Sequence, residues 1–144
     1  MANYGCATRT NYFRVTDEER YAKLFSCLQT YDDVMHDFTK EEDGIIYHGF
    51  GSYSDFGFLD DEDPDCDPDY PECNFDVFMK RLQEILPEDE AFIYMSSGNE
   101  KLRYVTGLVI VCTTKEMRHM EINEAAISIA QELLGNQFTT QLDY

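Results

Sequence analysis

Between Glu41 and Met79 the chain carries 13 Asp or Glu residues and no Lys or Arg; the nearest bases are Lys40 and Lys80. The run is densest from Leu59 to Asp76, where Asp63, Asp65, Asp67 and Asp69 alternate with Pro64, Cys66 and Pro68. Such carboxylates can do two kinds of chemistry. They can pair with Lys and Arg of another molecule in the bidentate manner of phosphates, or they can coordinate a hard cation. Proline favours extended backbone and like charges repel, so the segment resists helix formation and reads as a long acidic arm, an insertion at 55–76. Alternate residues of an extended chain point the same way about 6.6 Å apart. Asp61, Asp63, Asp65, Asp67 and Asp69 therefore approximate the phosphate spacing of one nucleic-acid strand. The candidate partner-contacting residues are Asp60, Asp61, Glu62, Asp63, Asp65, Asp67, Asp69 and Glu72.

The cation reading has its own pattern. Asp61, Asp63, Asp65, Asp67, Asp69 and Glu72 occupy positions 1, 3, 5, 7, 9 and 12 of a twelve-residue loop, the ligand spacing of an EF-hand. Three features weigh against it: Cys66 stands where that loop needs Gly, prolines occupy 64, 68 and 71, and residues 52–59 do not resemble an entering helix. No metal or cofactor is assigned on this basis. A third reading treats the run as a solvated insertion in a general protein-interaction module. The enzyme case is thin. His36, His48 and His119 lie in separate segments, and no H-E-x-x-H, G-x-S-x-G, phosphate-cradling glycine loop or dinucleotide fingerprint occurs. Cys66 and Cys73 lack the C-x-x-C spacing of a strong zinc site, and the carboxylates around Cys66 disfavour a reactive thiolate. A non-enzymatic protein is expected.

The formal charge of -18, from 29 acidic against 11 basic residues, narrows the partners. A field of that sign repels nucleic acid and anionic membrane and attracts basic protein surfaces. Direct contact with nucleic acid or membrane is not expected. No apolar run approaches the ~20 residues that span a bilayer, and the first residues lack the pattern of a signal peptide. Five scattered cysteines, without a C-x-x-C pair, suit reduced thiols and a cytoplasmic setting.

A domain must position the arm, and 144 residues with 43% hydrophobic content suffice for one. Alternation over Thr8–Val15 predicts a strand, and Thr16-Asp-Glu-Glu19 has capping-box spacing for a helix bearing Tyr21, Leu24, Phe25 and Leu28. Residues 31–44 are ambiguous, whereas Gly44–Tyr53 reads as a bulged strand leading into the arm. After the arm, Asn74 caps a helix with Phe75, Phe78, Met79, Leu82 and Leu86 as its apolar stripe, ending at Pro87. Ala91–Met95 and Tyr104–Cys112 form a central antiparallel hairpin, with Lys115–Ile122 as an edge strand. Asn123 is the expected cap of a third helix, Ile122 and Ile127 its staple, and Ile129, Ala130, Leu133 and Leu134 its buried face up to Gly135. A last strand over Phe138–Tyr144 completes the prediction. The order implies a single α+β domain, an antiparallel-rich sheet with about three helices and a long acidic loop.

Thr8–Val15, the hairpin Ser97–Val105 and the Leu-Leu-Gly-Asn136 ending resemble a functionally unassigned family of small acidic proteins of bacterial mobile elements and prophages. The resemblance implies a setting among anti-restriction and anti-CRISPR genes, whose products include acidic DNA mimics; it supplies no site residues. Together with the charge it leads to one expectation. The protein should be an inhibitor that occludes the nucleic-acid-binding surface of a basic host protein, such as a CRISPR effector or restriction nuclease, in the bacterial cytoplasm.

Overall fold

A computed structural model describes residues 4–31, 33–59, 74–100 and 102–139. In chain order the elements are β1 (Tyr4–Thr10), α1 (Glu18–Phe25), β2 (Leu28–Thr30), β3 (His36–Asp37), β4 (Lys40–Glu42), β5 (Ile45–Tyr47) and β6 (Phe50–Ser52). They continue with β7 (Phe56–Phe58), α2 (Phe75–Glu84), β8 (Phe92–Glu100), β9 (Arg103–Cys112), β10 (Met117–Glu121) and α3 (Ile122–Leu134). Six strands form an antiparallel sheet in the order β10-β9-β8-β1-β6-β3; β2-β7 and β4-β5 are separate two-stranded ribbons. The architecture is the single-domain α+β fold expected from the order of elements.

The centre of the sheet is the β8–β9 hairpin, in register from Phe92 opposite Cys112 to Ser97 opposite Gly107, with β1 against the other edge of β8. Side chains alternate across a strand, so Phe92, Tyr94, Ile110 and Cys112 share one face. On that face lies the core. Tyr21 and Leu24 of α1, and Phe78, Met79 and Leu82 of α2, join Phe13, Phe50, Phe92 and Ile110 in one buried cluster. Phe13 is at its middle, with edge-on contacts to Tyr21, Phe50 and Phe92 at 5.7, 6.4 and 5.0 Å between ring centroids. Arg20 of α1 bonds Glu84 of α2 at 2.7 Å on the outer surface.

The two core helices form for the expected reasons, with one change. Asn74 caps α2, its side chain accepting from the Val77 amide at 3.0 Å. In α1 the cap is Asp17, which accepts from the Arg20 amide at 3.0 Å, not Thr16. The Thr16 hydroxyl instead donates to the Ile85 carbonyl at 3.1 Å, a tertiary bond that ties the entry of α1 to the end of α2. The N-terminal strand is also displaced: it runs from Tyr4 to Thr10, and Phe13 makes only an isolated bridge to His48. The stretch Gly44–Tyr53 is two strands, β5 and β6. β5 folds back on β4 through Asp43 and Gly44, whose φ values of 53° and 79° are those of a tight Asp-Gly hairpin turn.

α3 departs most from expectation. Its cap position is Glu121 and not Asn123, no side chain caps it, and none of its residues is buried. Ile129, Leu133 and Leu134 are 56, 79 and 61% exposed. Its first residue does rest on the sheet, because a Cβ at Gly107 would meet Ile122 Cγ2 at 2.7 Å. Gly135, with φ 101°, ends the helix as predicted. Phe138 and Thr139 are not in a strand, and the rest of the predicted tail strand, 140–144, lies outside the described residues.

Candidate functional site

The residues singled out for partner contact, Asp60, Asp61, Glu62, Asp63, Asp65, Asp67, Asp69 and Glu72, all lie outside the described residues, as do Cys66, Tyr70 and Cys73. Their attachment to the fold is described. On the entering side Phe56 and Phe58 of β7 pair with Thr30 and Leu28 of β2, and the Leu59 amide donates to the Cys27 carbonyl at 2.9 Å. On the leaving side Asn74 and Phe75 begin α2. Of the predicted insertion 55–76, then, both ends belong to regular elements.

Those ends are held at one place. The rings of Phe56 and Phe75 both pack edge-on against Tyr94 of β8, at 6.0 and 5.9 Å, and Phe58 contacts Phe78 at 5.8 Å. Tyr94 is half-buried beneath them, and burial pushes its phenol up to about 12. Aromatic edge-to-face pairs of this kind each contribute about 0.5–1.5 kcal/mol beyond burial. Their joint effect is to bring the two ends of the acidic stretch back to neighbouring points above the core.

The remaining acids of the run are surface groups. Asp55 and Asp76 flank the arm, and Glu41, Glu42 and Asp43 form the exposed tip of the β4–β5 ribbon. Lys40 bonds Glu42 at 2.9 Å and lies 4.3 Å from the centroid of the Tyr12 ring. Of the flanking aromatics, Phe56 and Phe58 pack on the core, whereas Tyr53 is 74% exposed.

Two polar networks secure the irregular region between β2 and β6, and sequence reasoning found neither. One carboxylate oxygen of Asp33 accepts from the Tyr53 amide at 3.0 Å and lies 3.2 Å from His36 Nε2. Ser52 Oγ donates to the Val34 carbonyl at 3.0 Å and approaches the same Asp33 oxygen at 3.4 Å. Backbone bonds from Tyr53 and Val34 hold the Asp33 carboxyl below the usual carboxylate range. In the second network His48 is buried over the Tyr21 ring, 4.0 Å between centroids. Its Nε2 lies 2.6 Å from Glu18 Oε2 and its Nδ1 3.3 Å from Thr39 Oγ1, which donates to Asp37 at 2.5 Å. Burial, then the charges of Asp37 and Glu18, push the Tyr21 phenol up. These bonds use the side chains to hold backbone segments together. His36 and His48 each have a carboxylate partner, Asp33 three residues away and Glu18 30 residues away, and only the tertiary structure reveals the second.

A depression of about 330 Å³ between β1, β3 and β6 has Arg9, His36, Phe38 and Tyr53 in its lining. The Arg9 guanidinium lies 4.6 Å from the Phe38 ring centroid. Cation and rings together suit a planar or negatively charged group, the opposite chemistry to the acidic stretch. Among the described residues no group of three or more His, Cys, Asp or Glu is arranged to hold a metal ion. Among them, too, no helix is long and apolar enough to cross a membrane. No family model, no curated protein and no solved structure matches this chain.

Proposed function

We propose that the protein is a non-enzymatic anti-defence inhibitor. Its acidic arm imitates a nucleic-acid backbone and occupies the phosphate-binding groove of a basic host nuclease, an anti-CRISPR or anti-restriction activity exerted in the bacterial cytoplasm. The observation that carries this reading is the run of 13 carboxylates without a base, in a chain of charge -18. The clasp of Phe56 and Phe75 on Tyr94 supports it, because it anchors both flanks of the acidic stretch on the folded core. A nuclease meets DNA with rows of Lys and Arg, and carboxylates presented at similar spacing compete for the same cations. Binding of this kind is stoichiometric and weakens as salt rises.

The test is DNA cleavage by an RNA-guided nuclease and by restriction endonucleases, with the protein titrated in at low and high salt. The matched variant carries Asp61→Asn, Asp63→Asn, Asp65→Asn and Asp67→Asn, which removes four of the negative charges. The expected result is one-to-one inhibition that salt relieves and the variant lacks, with unchanged circular dichroism. A parent protein that inhibits none of these enzymes, or a variant that inhibits as well as the parent, refutes the proposal. Calcium titration followed by thermal unfolding separates the EF-hand reading, which requires saturable binding and a raised midpoint.

A further inference from the structure

We infer that the depression between β1, β3 and β6 binds a small planar ring that carries a single carboxylate, with Arg9 holding the carboxylate and Phe38 the ring. The hollow is built on one row of residues across three strands. Arg9 of β1 stands opposite Gly51 of β6, and Gly51 opposite His36 of β3. Gly51 has no side chain, so the middle of the row is a floor. A Cβ there would meet the Thr8 carbonyl oxygen at 2.7 Å and Phe38 Cε2 at 3.3 Å, so glycine is what lets the Phe38 ring lie this close to the sheet. That ring is nearly parallel to His36, 8° between planes and 6.4 Å between centroids, and His36 meets the Tyr53 ring edge-on at 6.2 Å. Three flat rings and one guanidinium thus border the same space.

The chemistry of the hollow comes from Arg9. Arg14, Arg20, Lys40 and Arg118 each hold a carboxylate within 3.0 Å. Arg9 is exposed and lies 4.6 Å from the Phe38 centroid, and it has no hydrogen-bonded or ion-paired partner among the described residues. In a chain with 29 acidic residues that is an unusual state for a cation. The Phe38 ring steadies the guanidinium but offers no acceptor, so the fork of N–H donors remains for a carboxylate, which it can bind bidentately. The Asp33 carboxylate that bonds two of the lining residues is turned instead to His36 Nε2 and the Tyr53 amide, at 3.2 and 3.0 Å.

Size, shape and charge fix the class of ligand. Small-molecule pockets begin at roughly 300 Å³, and this one, at about 330 Å³, accommodates one or two rings. Aromatic walls and a guanidinium favour a flat π-system over an aliphatic one. One cation matches one carboxylate, whereas a ligand of several negative charges is repelled by the whole-molecule charge of -18. None of the residues involved belongs to the acidic stretch, so this site and the proposed inhibition are tested separately.

The probe is naphthoate, titrated into the full chain and followed by backbone amide chemical shifts. The expected result is saturable binding with a Kd on the order of 1 mM, as the ligand's size allows. The largest shifts are expected at Arg9, His36, Phe38, Gly51 and Tyr53. Neutral naphthamide, which lacks the charge, and cyclohexanecarboxylate, which lacks the flat ring, should each bind about tenfold more weakly or worse. Arg9→Gln should raise the naphthoate Kd about tenfold and Phe38→Leu about threefold or more, with amide shifts elsewhere as in the parent. The inference is overturned by the absence of saturation up to about 20 mM, by shifts centred outside the hollow, or by Arg9→Gln binding as the parent does. It is equally overturned if naphthamide or cyclohexanecarboxylate matches naphthoate, or if adenosine monophosphate binds more tightly, which would assign the hollow to a nucleotide. The ligand comparison uses the parent chain alone and decides the matter even if a variant fails to fold.

Discussion

Leu82→Ala and Leu133→Ala remove the same three carbons from two amphipathic helices that look alike in sequence, and the structure separates their consequences. Leu82 is 0% exposed in α2, within the cluster of Phe78, Met79 and Phe92. Truncating a buried Leu forfeits its transfer free energy and leaves a cavity, about 3 kcal/mol within an observed range of about 2–5. For 144 residues the unfolding entropy is about 0.3 kcal/mol/K, so Tm falls by about 10 °C. Leu133 is 79% exposed. Only about a fifth of a full burial contribution of ~2 kcal/mol is at stake, and the better helix propensity of Ala offsets part of it. The expected change in dilute protein is below about 0.5 kcal/mol, under 2 °C. Thermal unfolding followed by circular dichroism, in dilute solution with reversibility checked, measures both. Equal losses for the two variants in dilute protein would refute the reasoning, since Leu133 would then belong to the monomer core as its spacing first suggests.

Two smaller predictions follow from single hydrogen bonds. Asn74→Ala deletes the side-chain acceptor of the Val77 amide and lowers stability by about 1 kcal/mol, or about 3 °C in Tm; denaturant unfolding checks it, and no change in the midpoint would mean that water replaces the cap without loss. Asp33→Asn tests the network around β3 and β6. The Asp33 carboxyl is held below its ordinary value, so its stabilisation is complete above the unfolded pKa of ~3.9 and disappears as pH falls through the folded value. Asp33→Asn is therefore less stable than the parent at neutral pH, and the two Tm curves converge at low pH. Parallel curves would mean that the carboxylate charge contributes nothing to holding the Tyr53 amide.

How much of this was legible in the chain depends on how local the interactions are. α2 was, because its cap and its stripe of Phe78, Met79 and Leu82 lie within a few turns of one another, although it ends at Glu84, short of the predicted stop at Pro87. The β8–β9 hairpin was for the same reason. In α1 the capping residue was missed by one position because the Thr16 hydroxyl is drawn to the Ile85 carbonyl, 69 residues away. Of the region from β3 to β6 only the strand character of Gly44–Tyr53 was legible, read as one bulged strand where the structure has β5 and β6, and β3 and β4 were not. Its strands are two or three residues long and are fixed by Asp33, His48 and Glu18, whose partners no periodicity announces.

The amino-acid sequence by itself determined the fold class, the two core helices, the central hairpin and the presence of a dense acidic stretch. Each is a matter of composition or of side-chain spacing within one element. Only the tertiary structure decided that Phe56 and Phe75 converge on Tyr94, so that the acidic stretch leaves and returns at one place. Only the tertiary structure decided that α3 stays uncovered. Helical spacing states which residues share a face, but whether that face is enclosed depends on which other elements lie against it, and α3 meets the sheet through its first turn with Ile129 and Leu133 left exposed.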